Sequence, residues 1–335
     1  MISRKRIIYS KEFVGEIQLT DFEIKTDEIS ADLTENEILC EALYFGIDAG
    51  LKMQAQFYPT GITMISGQIA KVIESRNNDF PKGSVVYGKF GWQSHTKLQP
   101  DVLTNKTFCY ILPDFGTHSV SLGLGCLGLT GNAAYFGLDL CGAKPGETIV
   151  VSSAAGGVGN HVGQIAKING CRVVGIAGSD EKCKWLVDEL RFDDAVNYKS
   201  GLFPSKLLDA TPNGVDCYFD NVGGLLSNAV ILRMKQSGRI VVCGSLSVSN
   251  IKVGDKIPQM AELSRNFIFH ELKMEGFVVW RWANRWMEGI ERNLKWLDEG
   301  KLKYHETILE GLDKAPEALI DLMKGKYSGR VVVKV

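Results

Sequence analysis

The residues best placed to do chemistry lie between Ile149 and Lys167. An apolar run, Ile149-Val150-Val151, leads into Ser152-Ser153-Ala154-Ala155-Gly156-Gly157-Val158-Gly159, and a helical pattern follows from Asn160 to Lys167. Glycines at these spacings let the backbone turn tightly and approach a bulky anion. The helix that follows aims its unpaired N–H groups at the same point. The chemistry implied is capture of a pyrophosphate by Gly156, Gly157, Val158 and Gly159.

The next strand, Cys171 to Ala177, decides which dinucleotide this would be. A site for a free ribose usually ends this strand with Asp or Glu, which bonds the sugar hydroxyls. Here the strand ends in Gly178-Ser179, followed by Asp180-Glu181-Lys182. Gly178 leaves room for a ribose phosphate, Ser179 can donate to it, and Lys182 can pair with it. A charge-assisted bond of this kind contributes about 1.5–3 kcal/mol, enough to select NADPH over NADH. Two other readings stand beside this one. Ser179 could simply cap the helix with Lys182 solvated, and Asp180 or Glu181 could turn toward a ribose.

These residues need a scaffold that presents strand ends in register. From about Ser121 strands and helices alternate: strand 148–153, helix 157–169, strand 171–177, helix 180–190, strand 194–197, strand 215–219, helix 225–235 and strand 239–243. That rhythm predicts a doubly wound parallel sheet. Two further strand ends, before Asn221-Val222-Gly223-Gly224 and at Cys243-Gly244-Ser245, pair glycine with a small polar residue. Residues from Ile17 to about Asn105 read instead as short strands and turns, a β-rich domain without a strong helix. A helix is expected over 132–141. An amphipathic helix over 281–299 carries Trp282, Trp286, Ile290, Leu294 and Leu297 as a core or subunit-packing stripe. A helix over 315–324 and a closing strand over 329–335 complete the chain, and that strand is expected to return to the β-rich part.

The chain has 335 residues, enough for two domains, and a formal net charge of -1. This balance implies no broad attraction to nucleic acid or to an anionic membrane. The apolar stretch from Phe115 to Leu138 is interrupted by glycines and small polar residues, so a buried helix is expected rather than a membrane span. Eight scattered cysteines without a C-x-x-C pair, and histidines without metal-ligand spacing, point to a reducing, cytoplasmic setting and to no catalytic or structural zinc. No Ser-Tyr-x-x-x-Lys set or nucleophile elbow is present. The chemistry must therefore come from a cofactor, and no catalytic side chain is assigned.

From Gly67 to the C-terminus the chain resembles the zinc-independent medium-chain dehydrogenases/reductases, and within them the prostaglandin reductase and alkenal double-bond reductase branch. The residues that carry the resemblance include Ala134-Tyr135-Phe136-Gly137-Leu138, Ala154 to Gly159, Gly178 to Lys182 and Asn197-Tyr198-Lys199. They continue through Asp216 to Gly224 and Glu271 to Val279. The resemblance implies an α/β fold, with a GroES-like β-rich domain over 1–122, a Rossmann domain over 123–302, and a segment over 303–335 that returns to the first. It implies NADPH as cofactor and a homodimer. Carried over position by position, Lys182 and Tyr198 would hold the ribose phosphate. Asn221, Cys243, Gly244 and Ser245 would line the adenine and ribose side, and Phe277, Val278 and Val279 the nicotinamide end.

The implied reaction is hydride transfer to the β-carbon of an α,β-unsaturated ketone or aldehyde, followed by protonation at the α-carbon. Four positions depart from the branch. Gly50 and its neighbours replace an Asp-Pro-Tyr-Met-Arg segment, Ala133 replaces threonine, Ser249 replaces tyrosine, and Tyr327 replaces asparagine. All four belong to the substrate and nicotinamide side. They leave the physiological substrate open and keep two other readings in play: a zinc-independent NADPH quinone reductase, and an NADPH-binding protein with little turnover.

Overall fold

In the computed structural model, which describes residues 1–100, 108–250 and 263–335, the chain divides into two units. One comprises Met1–Gly125 with Glu306–Val335, the other Cys126–His305. The β-rich reading of the N-terminal part extends over residues 101–105, which lie outside the described residues.

The Cys126–His305 unit is built on six parallel strands. Their spatial order is Asp194–Asn197, Arg172–Ala177, Thr148–Val151, Val215–Asp220, Met234–Val242 and Lys273–Gly276. In chain order this is 3-2-1-4-5-6, the Rossmann order, so the direction of winding reverses between Thr148–Val151 and Val215–Asp220. The strands read as nearly continuous apolar runs because helices cover both faces. Val150, Val174, Ile176, Tyr218 and Ile240 are all buried in one cluster. The expected doubly wound α/β sheet is therefore present.

The helices Phe203–Ala210 and Leu263–His270 were not expected from sequence, most expected elements end a residue or two away from their predicted limits, and three boundaries differ for a visible reason. The helix expected over 225–235 ends at Ile231, and Met234–Val242 is already strand. Ser237 takes a left-handed φ of 59°, and the pairing with the neighbouring strand shifts register between Val215 and Cys217. This irregularity lengthens the strand beyond its apolar run. The helix expected from 281 begins at Trp286. Residues Val279–Arg285 form a tighter 3-10 segment with Trp282 off helical angles, its ring stacked on Phe136 at 5.2 Å. Trp286, Ile290 and Leu297 are buried as the stripe predicts. The helix expected over 132–141 spans Leu129–Cys141 and stops at Gly142, whose φ of 61° closes the last turn. Among the described residues no helix is long and apolar enough to cross a membrane.

The other unit carries a seven-stranded, mainly antiparallel sheet. It includes Ile38–Ile47, Gln68–Ser75 and Val85–Gly88, close to the strands expected from sequence. A three-stranded sheet accompanies it. The closing strand Arg330–Lys334 pairs antiparallel with Ile38–Ile47, so the C-terminal segment returns to the β-rich part as expected. The junction is polar inside. The Arg330 guanidinium donates to Asp48 and to the Ile47 carbonyl at 3.1 Å, and Ser121 Oγ donates to Glu306 Oε2 at 2.7 Å. Burial raises the Glu306 carboxyl above its ordinary range, against the Ser121 bond and the Arg330 charge, which lower it. A carboxyl raised in the folded state favours folding while protonated. That contribution disappears as pH rises through its folded value. Glu306→Gln is therefore expected to match the parent chain below about pH 4 and to melt at higher temperature than the parent at pH 7. Thermal melts across this range check it, and a variant less stable at neutral pH would contradict it.

Candidate active site

The glycine turn sits at the reversal point of the parallel sheet. Thr148–Val151 ends, residues 152–158 turn, and the helix Gly159–Ile168 begins. Ser153 adopts a left-handed φ of 49°. Its carbonyl accepts from the Gly156 N–H at 2.9 Å, while the Ala154 N–H is tied to Ile176 O on the next strand at 2.9 Å. Gly159 packs directly on this turn: a Cβ there would lie 2.4 Å from Ser153 O and 2.8 Å from Ala154 Cα. Gly156, Gly157, Val158 and Gly159 thus form a backbone cradle at a helix N-terminus. Asn160 Nδ2 pins it by donating to Gly156 O at 2.6 Å, and His161 Nδ1 lies 2.7 Å from Gly157 O. His161 is buried in this packing.

At the end of the neighbouring strand Ser179 caps the helix Asp180–Asp188, its Oγ accepting from the Lys182 N–H at 3.3 Å. The capping reading of Ser179 is therefore correct. Asp180 accepts from Asn197 Nδ2 at 2.9 Å. The Glu181 carboxyl is lowered first by a backbone N–H and then by Ser179, the behaviour of an acid seated on a helix N-terminus. Neither acid is unengaged. Lys182 is pushed below the ordinary lysine range, first by burial and then by the charge of Lys199. A Cβ on Gly178 would meet Tyr198 Cε1 at 3.3 Å and Lys199 Cε at 3.6 Å. Tyr198 and Lys199 thus lie against Gly178, and the charge of Lys199 acts on Lys182, a concentration of positive charge suited to a phosphate. Sequence reasoning did not assign Lys199 a role, although it lies beside Tyr198 and carries the right charge.

Two more strand ends meet on the other side of the reversal point. Cys243 and Gly244 both donate their N–H groups to Asp220 O, at 2.8 and 3.2 Å, and Ser247 N–H donates to Val222 O at 2.9 Å. A Cβ on Gly244 would sit 2.9 Å from Asn221 O, so the two loops require glycine for their approach. Asn221 is fixed to the glycine turn: its N–H donates to Ser152 Oγ at 2.8 Å and its amide to Ser152 O at 2.7 Å. Burial pushes the Cys243 thiol up to about 12, which keeps it neutral. Ser245 precedes the short 3-10 turn Leu246–Val248.

The centre of this arrangement is Asp220, which sequence reasoning quoted only as a strand end. Its Oδ1 accepts from Ser152 Oγ (3.1 Å), Tyr218 Oη (2.9 Å), Val222 N–H (2.9 Å) and Gly223 N–H (2.9 Å). Its Oδ2 accepts from Ser227 Oγ at 2.5 Å. A charged residue closing an apolar strand was the available signal. Phe277 follows the last strand, its N–H donating to Val242 O at 3.2 Å, and its ring packs edge-on against Phe219 and Trp282. Val278 is exposed and Val279 buried.

The four departures are distributed over both units. Ala133 is buried in the helix Leu129–Cys141, Ser249 closes the 3-10 turn after Ser245, Gly50 precedes the short helix Leu51–Ala55, and Tyr327 is half-buried before the closing strand. Among the described residues no group of three or more His, Cys, Asp or Glu side chains is placed to hold a metal ion.

A glycine cradle at the switch point of a 3-2-1-4-5-6 sheet, with a basic pocket one strand away, defines a Rossmann-type dinucleotide domain. Comparisons with known proteins agree. Residues 157–295 match the family model described as zinc-binding dehydrogenase, and residues 5–105 match that described as the N-terminal domain of oxidoreductase. Prostaglandin reductase 1 of Bos taurus is 44% identical over 337 residues, covering 100% of both chains. The NADP(+)-dependent 2-alkenal reductase of Nicotiana tabacum is 34% identical, covering 100% of this chain and 98% of its own. The crystal structure of CurA from Vibrio vulnificus in complex with NADPH superposes with a TM-score of 0.91 at 32% identity, covering 99% of each chain. The chain belongs to the medium-chain dehydrogenase/reductase family, in the branch of the prostaglandin and alkenal reductases.

Proposed function

We infer that this protein is an NADPH-dependent reductase of the carbon–carbon double bond of α,β-unsaturated ketones and aldehydes. The full-length similarity to a prostaglandin reductase and an alkenal reductase supports the reaction. The observation that carries the cofactor choice is the cluster of Lys182, Tyr198 and Lys199 around Gly178: positive charge beside a position with no side chain, with Asp180 held by Asn197.

We propose the following roles. Backbone N–H groups of Gly156 to Gly159 cradle the pyrophosphate at the helix N-terminus. Ser179, Lys182 and Tyr198, with Lys199, hold the ribose phosphate. Asn221, Cys243, Gly244 and Ser245 line the dinucleotide along the other two strand ends, and Phe277 to Val279 border the nicotinamide. Bound NADPH supplies the hydride that reduces the β-carbon. The protein's contribution is to hold donor and acceptor in one orientation and to offer fixed dipoles to the charge that develops on the carbonyl oxygen. The Met1–Gly125 and Glu306–Val335 unit serves as the GroES-like catalytic domain. The chemistry needs no zinc, and the setting is cytoplasmic. The protein acts as a homodimer: Lys273–Gly276 lies at one edge of the parallel sheet, near the exposed apolar residues Ile268, Phe269 and Val278. An open strand edge invites pairing with a second copy, and a solution mass of one chain would exclude this.

The reaction is tested by following reduced-nicotinamide absorbance with a medium-chain alkenal, a keto-prostaglandin and a quinone, each with NADPH and with NADH. Reduction of the alkenal or the keto-prostaglandin with NADPH alone is the expected result. Turnover of the quinone alone would favour a quinone reductase, and binding without turnover on all three would favour a cofactor-binding protein. Lys182→Ala is expected to weaken NADPH by about 10- to 150-fold, the equivalent of one charge-assisted bond, with NADH nearly unchanged. Equal loss of both in binding titrations would remove Lys182 from the phosphate site.

A further inference from the structure

An acid stands next to the proposed ribose-phosphate site. Asp180 is the first residue of the helix Asp180–Asp188, two positions after Gly178. A carboxylate beside a dinucleotide's ribose accepts from the sugar hydroxyls and favours NADH, whereas beside a ribose phosphate it repels. Selectivity for the phosphate therefore depends on where the Asp180 carboxylate is held, and a residue on the neighbouring strand holds it.

Asn197 ends the strand Asp194–Asn197 and pairs in register with Ala177. Its side chain is engaged at both ends. Oδ1 accepts from the Lys199 N–H at 2.9 Å, and Nδ2 donates to Asp180 Oδ1 at 2.9 Å. The first bond decides the second, because an amide whose oxygen faces a backbone N–H presents its nitrogen the other way. The turn closed by the first bond is tightened by the Ser200 N–H, which donates to Asn197 O at 3.2 Å, and it sets the course of the chain through Tyr198 and Lys199. That course brings Tyr198 Cε1 and Lys199 Cε to 3.3 and 3.6 Å from a Cβ built on Gly178. It also places Lys199 Nζ 5.7 Å from the centre of the Tyr198 ring. One amide thus holds both an acid and the segment that carries a cation.

We propose, on the NADPH reading of this site, that Asn197 is a positioning residue for cofactor choice. By keeping the Asp180 carboxylate on its own amide and Lys199 beside Gly178, it suits the site to a ribose phosphate and not to free ribose hydroxyls. Its effect on the cofactor runs through Asp180 and Lys199. Loss of the amide then acts on the two cofactors with opposite sign. A released Asp180 carboxylate gains partners in the ribose hydroxyls of NADH and a repulsive neighbour in the phosphate of NADPH. A side chain with a merely structural role would weaken both when removed.

Binding titrations of NADPH and NADH on the whole protein, without an acceptor, test this. In Asn197→Ala the ratio of the NADH to the NADPH dissociation constant is expected to fall about tenfold, the size of one charge-assisted hydrogen bond, with NADH bound more tightly than by the parent chain. Adding Asp180→Ala to that variant is expected to return NADH to the parent's affinity and to restore NADPH except for the share that belongs to Lys199. Asp180→Ala alone is expected to leave NADH affinity unchanged. This variant decides the matter even if Asn197→Ala misfolds, since weaker NADH binding would mean that Asp180 already serves the ribose. A parent chain that prefers NADPH, with equal loss of both cofactors or no change in either on Asn197→Ala, would overturn this proposal alone. A parent chain that binds NADH as well as NADPH would overturn the NADPH reading with it.

Discussion

Asp220→Ala is expected to be among the most damaging single substitutions in the parallel-sheet unit. Its carboxylate receives five donors: Ser152 Oγ, Tyr218 Oη, Ser227 Oγ and the N–H groups of Val222 and Gly223. Asp220, Tyr218 and Ser227 are buried, so alanine leaves these donors with neither carboxylate nor ready solvent. Each orphaned buried donor costs about 1–3 kcal/mol. Partial re-pairing among Tyr218, Ser227 and admitted water brings the total to about 3–5 kcal/mol, the range for breaking a buried polar network. The Asn221–Gly224 loop and Ser152 lose their common anchor together, so NADPH affinity is expected to fall with stability. Asp220→Asn keeps an acceptor for most of these donors and is expected to lose about 1 kcal/mol. Urea unfolding and NADPH titration of both variants check this. An alanine variant no weaker than the asparagine variant would show that the network does not hold the loop.

Gly159→Ala acts through backbone rather than side chains. The new methyl group would meet Ser153 O at 2.4 Å and Ala154 Cα at 2.8 Å, and neither atom can rotate away. Ala154 is held to the neighbouring strand through Ile176 O, and Ser153 O is already engaged by the Gly156 N–H. The turn must therefore lift off the helix that begins at Gly159. Overpacking of this kind costs about 1–3 kcal/mol in stability. The displaced cradle is expected to weaken NADPH by about 100-fold, or about 2.7 kcal/mol, with a lower melting temperature as the companion readout. Wild-type affinity in this variant would mean that the turn does not approach the pyrophosphate.

The two substitutions differ in how legible their sites were. The glycine turn is readable because glycine leaves a local signature: strand, turn and helix follow one another in sequence, and each glycine has a reason in its own neighbourhood. The Gly178 to Lys182 pocket is half readable. Its missing carboxylate and its lysine are local, but Lys199 joins only because the Asp194–Asn197 strand lies beside Arg172–Ala177. Asp220 looks like an ordinary strand end until Ser152 and Ser227 are brought to it from 68 residues before and 7 residues after. Helix limits were misread where a non-local partner overrode propensity, at Met234 through strand pairing and at Trp282 through stacking on Phe136.

By itself, the sequence determined the parallel α/β scaffold, the glycine turn that leads into a helix, and the absence of a carboxylate at Gly178-Ser179. These follow from periodicity, glycine spacing and charge, which act over a few residues. The tertiary structure alone decided which acids are engaged and which cations converge, since Asp180 is turned to Asn197 and Lys182 feels Lys199. Hydrogen bonds and desolvation depend on neighbours that sheet order supplies across long stretches of chain, and no window of sequence contains them.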